Sequence, residues 1–109
     1  MTDIAISHGV LEPLEATLFE KNSVPVDLGS STVVLWLRLR DSSPKRVITR
    51  NAEVTNAQTG EVKYVFLESD FDGELYIESK WDIRWHVSPP PFGSSGIYPS
   101  RGYDILSVE

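Results

Sequence analysis

The chain has 109 residues, 16 Asp and Glu against 10 Lys and Arg, a net charge of -6 and no cysteine. At this size one domain spanning 1–109 is expected, with a core large enough to need no staple. Missing cysteine excludes disulfides, thiolate zinc sites and a cysteine nucleophile and fits assembly inside a cell, while the acidic balance argues against a nucleic-acid backbone as partner.

The start, MTDIAISHGVLEP, has no basic segment followed by an apolar run, and no stretch of the chain approaches the ~20 apolar residues of a membrane span. A soluble, unprocessed chain with no membrane partner is the expectation. Leu14 to Glu20 alternates imperfectly and is the first convincing strand, leading into a turn-rich connection with Pro25 and Gly29. Thr32 to Arg40 alternates cleanly: Val33, Leu35, Leu37 and Leu39 share one face, and Val34, Trp36, Arg38 and Arg40 share the other. Asp41 to Pro44 is a turn, because Asp and Ser satisfy local backbone donors and Pro fixes its own φ. Short strand-like pieces follow at 46–49 and 52–55, then a turn over Asn56 to Gly60 and a strand over 61–67 with Val62, Tyr64 and Phe66 on one side.

Residues 75–87, LYIESKWDIRWHV, alternate with period two. Leu75, Ile77, Trp81, Ile83, Trp85 and Val87 form the face expected to be buried, broken only by Ser79. Tyr76, Glu78, Lys80, Asp82, Arg84 and His86 form a row expected to be solvated, in which charges alternate in sign and no nucleophile sits evidently beside a base. Residues 88–102 are too rich in Pro and Gly for a helix or an interior strand, and 103–109 is again strand-like. No window has the period of an amphipathic helix. About seven strands with turn signals every 8 to 12 residues predict an all-β fold, a single immunoglobulin-like antiparallel β-sandwich without the paired cysteines of antibody domains.

The chemistry-bearing residues are sparse. Asp70-Phe71-Asp72-Gly73 places two carboxylates before a glycine, as some calcium loops do, but the further ligands are missing and a tight turn needs the same residues. His8 and His86 have no second ligand at metal spacing, and no Gly-x-Ser-x-Gly elbow or glycine-rich phosphate loop exists. No catalytic residue, cofactor or metal is therefore predicted, and the chain is read as a non-enzyme. Arg38, Arg40, Lys45, Arg46 and Arg50 are the only basic concentration, and the plainer expectation is that they balance neighbouring carboxylates.

The aromatic residues say more. Trp81 and Trp85 belong to the core face. Trp36 points outward with Val34 and Arg38, and Tyr76 joins the polar row, so Trp36, Arg38 and Tyr76 are candidate interface anchors; the alternative is a strand buried on both sides or covered by the loop 88–102. The loop 88–102 carries Pro90, Pro91, Phe92 and Tyr98, stiff apolar groups whose ordering on a partner costs little entropy, and these complete the candidate interface. A coplanar, exposed set of Trp36, Tyr76 or Tyr98 beside polar groups would instead suit a carbohydrate-binding module.

The order of pieces PVDLGSSTVVLWLR, TGEVKYVF, DFDGELYIESKWDI and YPSRGYDILSV resembles the N-terminal immunoglobulin-like domain of phage baseplate upper proteins, from about Thr17 to Val108, with turn glycines at Gly60 and Gly73. The resemblance implies a docking module of the virion that attaches to tail or baseplate neighbours, with no catalytic residue to carry over. The expectation is therefore a non-enzymatic virion structural protein, assembled in the host cytoplasm, that meets other virion proteins, or copies of itself by strand addition, through the exposed strand face, an edge strand and the proline-rich loop. Members of that family carry a receptor-binding or fibre-anchoring portion after the domain, whereas this sequence runs to Glu109. That departure raises a second expectation, a small protein bound in many copies as a decoration of the capsid.

Overall fold

A computed structural model describes residues 3–20, 24–40, 46–72, 74–90, 96–99 and 103–109. The fold is all-β: β1 (Asp3–Ile6), β2 (Pro13–Thr17), β3 (Thr32–Leu39), β4 (Val47–Asn56), β5 (Glu61–Val65), β6 (Lys80–Ser88), β7 (Ile97–Tyr98) and β8 (Asp104–Val108), with one 3-10 turn at Glu68–Phe71. Among the described residues there is no α-helix, and none is long and apolar enough to cross a membrane.

The strands form one mixed sheet in the order β1-β8-β6-β3-β4-β5-β2, with β7 paired to β6 beyond the end of β8. The purely antiparallel expectation is corrected at β1, which runs parallel to β8. This sheet must curl. Its two edge strands are consecutive in the chain, and the seven Cα steps from Ile6 to Pro13 reach at most about 24 Å. Six strand spacings of about 4.8 Å would hold those edges about 29 Å apart in a flat sheet. The bend lies in β4, which pairs with β3 through Val47 to Ala52 and with β5 from Glu53 onward, the register slipping between Val54 and Asn56.

The concave side encloses a hydrophobic cluster to which every one of the eight strands contributes. The alternation of β3 is realised residue by residue, with Val33, Leu35, Leu37 and Leu39 buried. Trp81, Ile83, Trp85 and Val87 do the same on β6, and both tryptophans are core as expected. At about 25 cal/mol per Å² of apolar area removed from water, these side chains are the main source of stability.

Four expectations need correction. The long strand starts at Lys80, not Leu75: Glu78 takes φ 69°, which breaks the extended backbone, and Ile77 is left 59 % exposed. Ser79, the break in the apolar row, is buried and accepts the Trp81 indole N–H at 2.9 Å, so it satisfies a donor that an apolar residue would orphan. The pieces 46–49 and 52–55 are one strand. The first residues, read as preceding any strand, form β1, and the proline-rich stretch contributes β7, whose Tyr98 pairs with Trp85 and is 1 % exposed.

Candidate functional site

The convex side has two different characters on its two halves, and the register defines both. On the β4-β3-β6 half, successive rows across the strands are Asn51, Val34 and His86, then Thr49, Trp36 and Arg84, then Val47, Arg38 and Asp82, with Arg40 hydrogen-bonded through its backbone to Lys80 at the end. Alternation puts Lys80, Arg84, Arg38 and Arg40 on one surface, with the Asp82 carboxylate set among them. On a chain of net charge -6 this is a strong local excess of positive charge.

Trp36 is half-buried at the centre. Its ring stacks on His86 with centroids 5.6 Å apart and planes 22° from parallel, and the Arg38 guanidinium lies 5.8 Å from its centroid. Arg38 and Arg40 also approach the Tyr103 ring at 5.9 and 5.5 Å. Below them, Asp82 is 3 % exposed and anchors both arginines: Arg38 donates to Oδ2 at 3.0 Å, and Arg40 Nε lies 3.2 Å from Oδ1. Oδ1 accepts no hydrogen bond from that contact. Burial, then the charge of Arg84, lowers the pKa of His86, so the imidazole is neutral near pH 7. The surface is thus an aromatic plate with cations beside it and along the rows toward Arg40, two of them held in place by a buried carboxylate.

The sequence-derived candidates divide. Trp36 and Arg38 lie together on this surface. Tyr76 is exposed, but it sits in the turn before β6, away from Trp36. Pro90 is exposed just after β6. Pro91 and Phe92 lie outside the described residues, as do Lys45 and Gly73. Tyr98 is corrected as a contact residue, because its side chain fills the core beside Trp85. Sequence reasoning missed Arg84, His86 and Tyr103: the alternation of 80–87 placed the first two on an outward row, but no local signal says that β6 pairs with β3.

The basic concentration read from sequence is split by the fold. Arg50 leaves the convex patch to bind Asp70 through Nε at 2.9 Å and Glu74 through Nη2 at 2.7 Å. Asp70 Oδ2 accepts the Tyr64 hydroxyl at 2.6 Å and the Leu67 amide at 2.9 Å. Burial pushes the Asp70 carboxyl up, but the Leu67 amide, Tyr64 and Arg50 together outweigh it and hold the carboxyl below its usual range. Burial and the Asp70 carboxylate push Tyr64 well up, and Arg50 rises because Asp70 and Glu74 outweigh its own burial. The space lined by Arg50, Tyr64 and Asp70 is only about 10 Å³, too small for a substrate. With its oxygens occupied in this way, Asp70 has the job of tying the 3-10 turn to β4 and β5 rather than holding a cation. Among the described residues no three His, Asp or Glu side chains gather at metal-binding distance.

On the β2-β5-β4 half the convex surface is acidic. Glu15 and Glu53 flank Lys63 in one row, Glu53 reaching the lysine at 3.4 Å, and Glu61 follows in the next row. An open groove of about 340 Å³ runs over Glu15, Thr17, Thr55, Glu61 and Lys63.

The sequence matches no protein-family model and no curated protein.

Proposed function

We propose that this chain is a non-enzymatic structural protein of a phage virion, docking to tail or baseplate neighbours through the convex β4-β3-β6 surface. The observation that carries the docking role is the plate of Trp36 and His86, flanked by Arg84 and Arg38 with Arg40 and Lys80 further along the same face. Trp and Arg are the residues that dominate binding hot spots, and here they are pre-positioned by Asp82 and by sheet register, so little side-chain entropy is lost on contact. The virion assignment rests on the resemblance of the strand and turn segments to the baseplate domain. The same reading treats the curled sheet as an immunoglobulin-like sandwich. It is supported by the division of β4 between two partner strands around one core.

The test is to mix purified protein with particles lacking it and to measure recovery and copy number. Saturable recovery lost in Trp36→Ala supports the reading, and the number bound separates a tail ring from capsid decoration. A protein that stays free removes it. A second reading, a carbohydrate-binding module, is favoured by one observation: polar groups of Arg38 and His86 border the Trp36 ring. Against it, Tyr76 and Tyr98 do not join Trp36 in a common platform. A glycan-binding screen decides.

A further inference from the structure

The two convex halves are opposite in charge and adjoin along β4 in one continuous sheet, so a single molecule cannot stack one face on the other. Arg84 and Arg38 adjoin Trp36 on one half, with Arg40 and Lys80 two rows further along the strands, and Glu15, Glu53 and Glu61 stand over one lysine on the other. Both are sheet faces, with charges set by the same strand spacing of about 4.8 Å, and sheet faces stack about 10 Å apart. Complementary potentials of this kind steer association and set register.

We propose that the partner of the Trp36 surface is the acidic β2-β5-β4 surface of a second copy of this chain. The contact is heterologous: it leaves one basic and one acidic face free on every pair, so it repeats into open chains or closes into a ring. This inference rests on the reading of the Trp36 surface as a docking surface, and names its occupant. The net charge of -6 opposes any self-association, which makes the response to salt diagnostic. Raising salt from 0.1 to 1 M shortens the screening length from about 10 to about 3 Å. Contact between complementary faces weakens under that change, whereas association merely limited by net repulsion strengthens.

The experiment is sedimentation velocity over a concentration series, at low and high salt, with wild type and two charge-reversed variants. Glu15→Lys with Glu53→Lys removes the acidic face, and Lys80→Glu with Arg84→Glu removes the basic one; neither pair touches the core. Wild type is expected to grow past dimer at low salt and to fall toward monomer at high salt. Each variant alone is expected to be monomeric, because both of its faces then carry the same sign, and their equimolar mixture to associate again, because each carries faces of the sign the other lacks. Folding of the variants is checked by near-ultraviolet circular dichroism, and if one fails to fold the salt response of wild type decides alone. Wild type that is monomeric at every concentration, association that rises with salt, or variants that still associate alone would each overturn the inference. A wild type that stays monomeric yet saturates depleted particles would sink this inference and leave the docking function standing. Self-association with no uptake on particles would do the reverse.

Discussion

Arg50 and Asp70, twenty residues apart, meet at 2.9 Å with the Asp70 side chain 4 % and the Arg50 side chain 28 % exposed. That pair fastens the 3-10 turn after β5 to the middle of β4, and Tyr64 and the Leu67 amide close the remaining valences of the carboxylate. Asp70→Asn keeps the shape and removes the charge, leaving Arg50 half-paired. A loss of about 3 kcal/mol in urea unfolding is expected, at the low end for a broken buried pair because Arg50 retains Glu74 and some solvent. A loss below about 1 kcal/mol would mean that the network does not hold the turn.

The same carboxylate sets an acid limit. Its folded pKa lies below the unfolded value of about 3.9, so its contribution is fully present above about pH 4 and is lost as pH falls through the folded value. His86 adds an earlier step of the same sign: its folded pKa is below the unfolded value of about 6.5, so stability begins to fall once pH drops under that value. Unfolding midpoints measured from pH 8 to 2 should therefore decline in two stages, with Asp70→Asn flattening the lower one and His86→Phe the upper.

Trp36 and Trp85 occupy opposite faces of the same pair of strands. Trp85→Ala empties the core and should cost about 3 to 5 kcal/mol. Trp36→Ala loses only stacking on His86 and Arg38 at a half-exposed site, about 1 kcal/mol, and should show its main effect in docking. Equal destabilisation by the two would place Trp36 in the core.

Gly60 closes the turn between β4 and β5 with φ 70°, and a Cβ there would stand 2.7 Å from the Leu18 carbonyl and 2.9 Å from that of Val26. Both neighbours are backbone and cannot rotate away. Gly60→Ala should destabilise by more than about 1 kcal/mol in the same unfolding assay, and a neutral result would show that this crossing is looser than the contacts imply.

Sequence alone determined what depends on one residue and its near neighbours. Period two in 32–39 and 80–87 decided which face each side chain takes, because alternate residues of a strand point to opposite faces whatever the strand pairs with. It therefore separated Trp81 and Trp85 from Trp36, and located turns at Asn56 to Gly60 and near Asp70. It did not foresee Asp82, expected in the solvated row but 3 % exposed because Arg38 and Arg40 cover it. Local pattern misled at Ile77, where alternation continued through a residue that the positive φ of Glu78 turns out to solvent. It also misled at Tyr98, where the prolines implied a surface loop but the ring was needed to fill the core beside Trp85.

Only tertiary structure decided the rest, since it depends on pairings between distant segments. That β3 lies between β4 and β6 brings Arg38 to Asp82 and Trp36 to His86, residues 44 and 50 positions apart. Pairing opposite Leu35 puts Arg50 on the inner face, where it meets Asp70, and the change of partner along β4 splits the convex charge into a basic and an acidic half. Strand order and curvature follow from how the whole apolar set closes on one core, a condition that no single segment carries.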